Sequence, residues 1–209
     1  MLVIGLTGSI AMGKSTAAGM FRQLGIPVHD ADSTVHALLA KGGAAVAAIN
    51  RAFPGVVSDG AVDRKQLAAR VFEDPMALRR LESILHPLVT EKRDIFLAIA
   101  ARQKRPLVVL DIPLLFEVKA EKSCDVVMVV TAPRFLQVAR LMRRPGMDRA
   151  RIEAIVARQM PDAEKRKRAD FIVHSGLGRG LTFAEIRRCV EELRGRRMLP
   201  KTSLPPRYC

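Results

Sequence analysis

The first apolar run of the chain, Leu2-Val3-Ile4-Gly5-Leu6, is continuous and stops at Thr7-Gly8, which predicts a buried strand over residues 2–7. Apolar residues then recur at helical spacing, at Ala17, Phe21 and Leu24, and Gly25 ends that helix. Pro27-Val28-His29 begins a second short strand that closes at Asp30-Ala31-Asp32. Strand, helix and strand within one short segment predict a parallel pair. Residues 33–103 read as mostly helical. Val35, Leu38 and Leu39 mark a helix ended by Gly42-Gly43, and a second helix from Ala44 to Phe53 is stopped by Pro54-Gly55. Ser58-Asp59-Gly60 is a turn. Asp63, with Gln66 three residues on, forms a capping box, and Asp74-Pro75 opens another helix. His86-Pro87 is expected to break or kink that helix.

Two further apolar runs, Leu107 to Asp111 and Asp125 to Val130, do not alternate. Continuous apolarity predicts parallel strands covered on both faces. A helix from Pro133 to about Arg144 follows, with Phe135, Val138 and Leu141 on one face. Residues 145–168 are dense in Arg and Lys, and Phe171-Ile172-Val173 is a last strand. Thr182-Phe183-Ala184-Glu185 reads as a capping box opening the final helix. The segment from Arg196 to Cys209 carries Pro200, Pro205 and Pro206 and is expected to be loose. There are no internal repeats.

With 209 residues, 49% of them hydrophobic, the chain can bury one full core. Only 4% are aromatic, so that core must be aliphatic. A net charge of +14 and a pI near 10.7 favour anionic partners, whether nucleic acid, acidic membrane or phosphorylated small molecules. No apolar run approaches the roughly 20 residues that span a bilayer. The N-terminus lacks a basic leader and a cleavage site and reads as a strand, not a signal peptide. Cys124, Cys189 and Cys209 are far apart and odd in number, so neither a metal site nor a disulfide framework is expected. A reducing, cytoplasmic setting is the expectation.

The sharpest chemical signal is Gly8-Ser9-Ile10-Ala11-Met12-Gly13-Lys14-Ser15, between a strand and a helix. It matches G-x-x-x-x-G-K-[ST], the phosphate loop. Glycines let the backbone approach anionic oxygens, and successive N–H groups with the helix N-terminus form a positive concavity. Gly8, Ala11, Met12, Gly13, Lys14, Ser15 and Thr16 are the candidate nucleotide contacts. Lys14 would reach the β- and γ-phosphates, and Ser15 would offer a hydroxyl to Mg²⁺. Asp111, at the end of an apolar strand, is the candidate second metal ligand. The expected fold class is therefore α/β, a P-loop NTPase core with a mostly parallel five-stranded sheet flanked by helices. The expected co-reactants are ATP and Mg²⁺. A dinucleotide fingerprint is absent, which argues against a nicotinamide cofactor.

Asp30-Ala31-Asp32, Val62-Asp63-Arg64, Leu85-His86-Pro87, Asp111-Ile112-Pro113-Leu114-Leu115-Phe116-Glu117, and Gln159 followed by Ala169-Asp170-Phe171 occur in one order along the chain. In that order they resemble the dephospho-coenzyme A kinase family over about residues 3–175. The resemblance implies ATP-dependent phosphorylation of the ribose 3′-hydroxyl of dephospho-coenzyme A. It implies a nucleotide-binding core (1–32, 106–139, 169–197), a helical acceptor-binding region (33–105), a lid (140–168) and a remaining tail (198–209). It also implies Asp32 as catalytic base, with Asp30 the second choice. Arg140 and Arg144 would close over the phosphates, and Arg64, His86, Leu115 and Glu117 would lie near the acceptor.

A ribose hydroxyl has a pKa far above neutrality, so a carboxylate placed to accept its proton assists attack. Asp32 follows a strand at its C-terminal end, where ligands bind in open α/β sheets. Either aspartate could equally be a helix N-cap. Arg140 and Arg144 lie four apart, on one helix face, and could neutralise charge spreading in a transition state, or form a solvated basic face. Ser9 and Ala11 stand where the family usually has glycine, so the loop should adopt a conformation that admits a Cβ at residue 11. His174-Ser175 and Arg143-Arg144-Pro145-Gly146 also depart from the family pattern. Two other readings remain: another small-molecule or nucleotide kinase of this fold, and a nucleic-acid-stimulated P-loop ATPase. The latter lacks a helix-turn-helix, a zinc spacing or an aromatic platform. No specific nucleic-acid or membrane partner is expected, and the chain should be a monomer or weak homo-oligomer.

Overall fold

The computed structural model describes residues 1–72 and 74–195, and the backbone of 207–208. The elements run β1 (Leu2–Thr7), α1 (Lys14–Gln23), β2 (Val28–Asp30), α2 (Ala31–Leu39), α3 (Val46–Ala52), β3 (Val57–Ser58) and β4 (Ala61–Val62). They continue through α4 (Arg64–Phe72), α5 (Pro75–Arg102), β5 (Leu107–Asp111), a 3₁₀ turn (Ala120–Ser123), β6 (Val126–Thr131), α6 (Arg134–Met142) and α7 (Arg149–Ala157). Last come α8 (Asp162–Lys167), β7 (Phe171–His174), α9 (Arg179–Gly195) and β8 (Arg207–Tyr208). The chain divides into two compact units: residues 1–29 with the described residues from 100 onward, and residues 30–99.

The first unit is built on a sheet of order β2-β5-β1-β6-β7-β8. β1 lies parallel between β5 and β6, with Ile4 level with Val109 on one side and Val126 on the other. β6 and β7 are parallel as well. Every residue of β5 and β6 is buried, as continuous apolar runs in a sheet covered on both faces must be. The five expected strands are present. The two-residue β8 adds a sixth, pairing Arg207 with Phe171 and Tyr208 with Ile172, while the rest of the expected loose tail lies outside the described residues. The core joins Ile4, Leu6, Phe21, Val109, Met128, Phe171, Val173, Ile186 and Leu193. Full burial of Phe21 and Phe171 contributes ~1.5–3 kcal/mol each.

The second unit has its own core of Leu38, Leu39, Ile49, Phe53, Val56, Val62 and Leu67, against which Leu81, Ile84, Leu85, Leu88 and Val89 of α5 pack. The turn at Asp59-Gly60 closes a hairpin of β3 and β4, both turn residues having positive φ (49° and 76°), as a tight hairpin turn requires. Asp63 accepts from the N–H groups of Lys65 and Gln66, and Asp74 from those of Met76 and Ala77, so both expected caps form.

Two expectations are corrected. Pro87 does not break its helix: the 28-residue α5 runs through it. The proline forfeits one ladder bond, but the apolar stripe on either side of it is held in the second core. α9 starts at Arg179, not at Thr182; Thr182 donates its hydroxyl to the carbonyls of Gly178 and His174 from inside the helix. Glu185 accepts from the His174 N–H instead of closing a capping box. Cys124 is a buried free thiol, and Cys189 is fully buried on α9.

Candidate active site

β1 delivers the chain into the Gly8–Ser15 loop, and α1 begins at Lys14. Two glycines are there for different reasons. A Cβ on Gly8 would lie 2.5 Å from the Val130 carbonyl oxygen, so the loop can enter only by close backbone approach. Gly13 caps α1 with φ 92°, and a Cβ there would strike the Ser175 hydroxyl at 2.8 Å. Ala11 has φ 61°, the left-handed region, although it carries a Cβ. The loop thus keeps a backbone that suits glycine, where the sequence suggested an adjusted one; an L-residue held there costs ~1–2 kcal/mol.

The surrounding side chains account for that backbone. Arg140 of α6 donates to the Ala11 carbonyl at 3.1 Å, and to the hydroxyl and carbonyl of Ser175 at 3.1 and 2.8 Å. The Ser175 hydroxyl in turn donates to the Met12 carbonyl. Ile10 is held on both sides, its N–H by Gln159 Oε1 at 3.0 Å and its carbonyl by Gln137 Nε2 at 2.9 Å. Lys14 Nζ lies 2.6 Å from Asp111 Oδ1, with the carboxylate almost fully buried at the end of β5. Ser15 and Thr16 are exposed in the first turn of α1. A cavity of about 530 Å³ opens beside the loop, bordered by Ser9, Met12, Thr131, Asp162 and Arg166 among others. Arg144 lies just past α6, exposed.

After β5 the chain turns through Pro113, whose carbonyl accepts from the Thr7 hydroxyl at 2.9 Å. Leu115 is fully buried, and a Cβ on Gly5 would lie only 3.2 Å from its side chain, which packs in the core. Glu117 Oε1 accepts from the Met160 N–H at 2.9 Å and faces the fully buried Lys165 ammonium at 2.9 Å. Burial pushes the Glu117 carboxyl up, but the Lys165 ammonium and the backbone N–H outweigh it and hold the group below the usual carboxylate range. Lys165, Gln137 and Ser175 carried no sequence signal as site residues. Lys165 sits in the run Glu164–Arg168, where it resembles any solvated basic residue.

In the second unit, Asp30 is the N-cap of α2, accepting from the Ser33 N–H at 3.0 Å. Asp32, in the first turn, is exposed and has no hydrogen-bond or ion-pair partner among the described residues. Of the two candidate carboxylates, one is engaged in capping and the other is not. Arg64 opens α4 and reaches the His36 ring, and His86 is exposed on α5.

A parallel sheet whose central strand feeds a glycine loop into a helix headed by lysine, with an acid on the neighbouring strand, defines a P-loop nucleotide-binding fold. The family model described as dephospho-CoA kinase matches residues 2–177. A dephospho-CoA kinase from Paramagnetospirillum magneticum is 63% identical over 166 residues, 79% of this chain and 78% of that one. Among solved structures, TT1252 from Thermus thermophilus is 36% identical with a TM-score of 0.77, covering 95% of this chain and 98% of its own. A dephospho-CoA kinase from Campylobacter jejuni is 26% identical with a TM-score of 0.71, covering 94% and 98%. The chain belongs to the dephospho-CoA kinase family and is a phosphotransferase. Membership implies ATP as the donor. Among the described residues no helix is long and apolar enough to cross a membrane.

Proposed function

We propose that the chain transfers the γ-phosphoryl group of ATP to the ribose 3′-hydroxyl of dephospho-coenzyme A, with Asp32 accepting the hydroxyl proton. The observation that carries the assignment of the base is the division of labour at the start of α2. Asp30 spends its carboxylate on the Ser33 N–H, whereas Asp32 is exposed and unengaged. A general base must be within reach of its proton and not committed elsewhere.

The donor is bound by backbone N–H groups of the loop and by Lys14, whose charge lies where the β- and γ-phosphates would gain negative charge. The site fits a magnesium ion, since the Ser15 hydroxyl, next to Lys14 in the chain, and the Asp111 carboxylate, in contact with Lys14, are hard oxygen donors. Among the described residues no cluster of three or more His, Cys, Asp or Glu could hold a metal by itself, and Mg²⁺ characteristically uses one or two protein oxygens with phosphate and water. Bound there, the ion would neutralise phosphate charge. Arg140 already lies against the loop at Ala11 and would neutralise charge on the transferring group, with Arg144 joining from the end of α6. Arg64 and His86 are the acceptor contacts, and Glu117 acts indirectly, through Lys165 and Met160. The reaction runs in a cytoplasmic setting, with the protein monomeric or weakly associated.

The test is product formation. ATP, Mg²⁺ and dephospho-coenzyme A should yield coenzyme A and ADP, and adenosine, shikimate or DNA in place of the acceptor should yield no phosphorylated product and no stimulated hydrolysis. Transfer to another acceptor at an equal rate would sink the proposal.

A further inference from the structure

The Gly8–Ser15 loop is gripped at one residue by two glutamines. Gln137, 2% exposed in the second turn of α6, donates Nε2 to the Ile10 carbonyl at 2.9 Å. Its Oε1 accepts from Arg134 Nη1 at 2.7 Å. A guanidinium has donors only, so that contact fixes the amide orientation and aims the NH₂ group at Ile10. Gln159, just beyond α7, accepts the Ile10 N–H on Oε1 at 3.0 Å. The chain between these two residues contains α7 and most of the Arg-rich stretch. It leaves and returns through side chains that hold both polar groups of a single peptide residue. The next residue in the loop is Ala11, held at φ 61°. An alanine does not rest there unaided, so its neighbours must impose the conformation.

We propose that Gln137 and Gln159 are positioning residues that clamp Ile10, hold Ala11 in the left-handed conformation that the phosphate cradle needs, and couple the 138–158 segment to ATP binding. The inference rests on reading Gly8–Ser15 as the ATP cradle. The clamp acts before phosphate arrives. Once the phosphates are bound, they hold the loop N–H groups themselves, so the clamp contributes to forming the complex and little to the transfer step. It also explains how this loop carries alanine at residue 11, since the strain of a Cβ is met by hydrogen bonds on the preceding residue.

The experiment is a cycle between the clamp and residue 11. Gln159→Met keeps the length and removes the acceptor. It should raise KM for ATP about 3–10-fold, the worth of one hydrogen bond, with kcat within about twofold. In the A11G background the left-handed conformation needs no enforcement. There Gln159→Met should raise KM by less than about twofold, because the strain-holding part of the clamp has nothing left to hold. Gln137→Met should follow the same pattern. Being buried, it is the variant at risk of failing to fold, and Gln159→Met carries the test without it. Equal KM ratios in the two backgrounds, an unchanged KM, or a loss confined to kcat overturns the proposal. If the parent chain shows no ATP-dependent transfer, the reading of the cradle has failed instead, so the two failures are told apart by the parent assay.

Discussion

Around Lys14 the candidate residues hold one another: Lys14 with Asp111, Arg140 with Ala11 and Ser175, Ser175 with Met12, and Ile10 with two glutamines. In the unit of residues 30–99 the candidates do not. Asp32, Arg64 and His86 are exposed on three different helices, and only Arg64 has a side-chain contact, to His36. The first arrangement is preorganised. Its dipoles and charges are fixed before phosphate arrives, which is what electrostatic catalysis requires. The second presents uncommitted groups, suited to an acceptor that supplies its own binding surface. A phosphate is small and always the same, so a rigid cradle suits it, whereas the acceptor is large and most of it does not react.

The largest expected effect is in the second arrangement. Asp32→Asn should lower kcat by roughly 10²–10⁴ with ATP affinity and Tm unchanged, since the side chain makes no contact that folding uses. Stopped-flow or coupled assays with calorimetric ATP titration measure both; a normal kcat would remove the base from Asp32. Lys14→Ala tests the preorganised side and should cost about 10²–10³ in turnover by a folded protein. Near-normal turnover would refute the loop assignment. Lys165→Met should lower stability by about 3 kcal/mol in denaturant titrations, because it leaves Glu117 without its buried counter-ion.

Acid gives a gentler test of the same pair. The folded pKa of Glu117 lies below its unfolded value, so its stabilisation is present above the ordinary carboxylate range and is lost as pH falls through the folded pKa. The Tm difference between parent and Glu117→Gln should therefore shrink between pH ~6 and pH ~3. A difference independent of pH would mean that the carboxylate charge contributes nothing. The smallest effect belongs to Asp30→Ala, which removes an N-cap and should cost ~1 kcal/mol of stability with kcat much less affected than by Asp32→Asn. The opposite ranking would mean that the base had been assigned to the wrong carboxylate.

What the sequence made legible was local or repetitive. Fully apolar strands announce a parallel sheet, Gly8 to Ser15 announces a cradle, and Asp63 and Asp74 announce helix starts, because each feature is read within a few residues. The unread features depend on contacts between distant residues. Lys165 looks like its charged neighbours until α8 and the segment following β5 bring it to Glu117. Gln137 lies 127 residues from the carbonyl it holds. Leu115 sits in a motif but is spent on the core, and Pro87 breaks a local rule because packing on both sides of it outweighs one lost bond. At Asp30 and Asp32 the pattern named the pair, and only the Ser33 hydrogen bond distinguished cap from candidate base.

The 2.6 Å contact between Lys14 and the buried Asp111 also sets a threshold for what may bind. Any anion that approaches Lys14 shares the ammonium with a carboxylate that is already desolvated and in contact. Binding is therefore in part an exchange of counter-ions. A singly charged ion such as chloride or acetate gains little by the exchange, because it replaces one negative partner with another. A polyphosphate gains, since it brings several charges and can also occupy loop N–H groups. The pair thus weights binding toward ligands of high charge density.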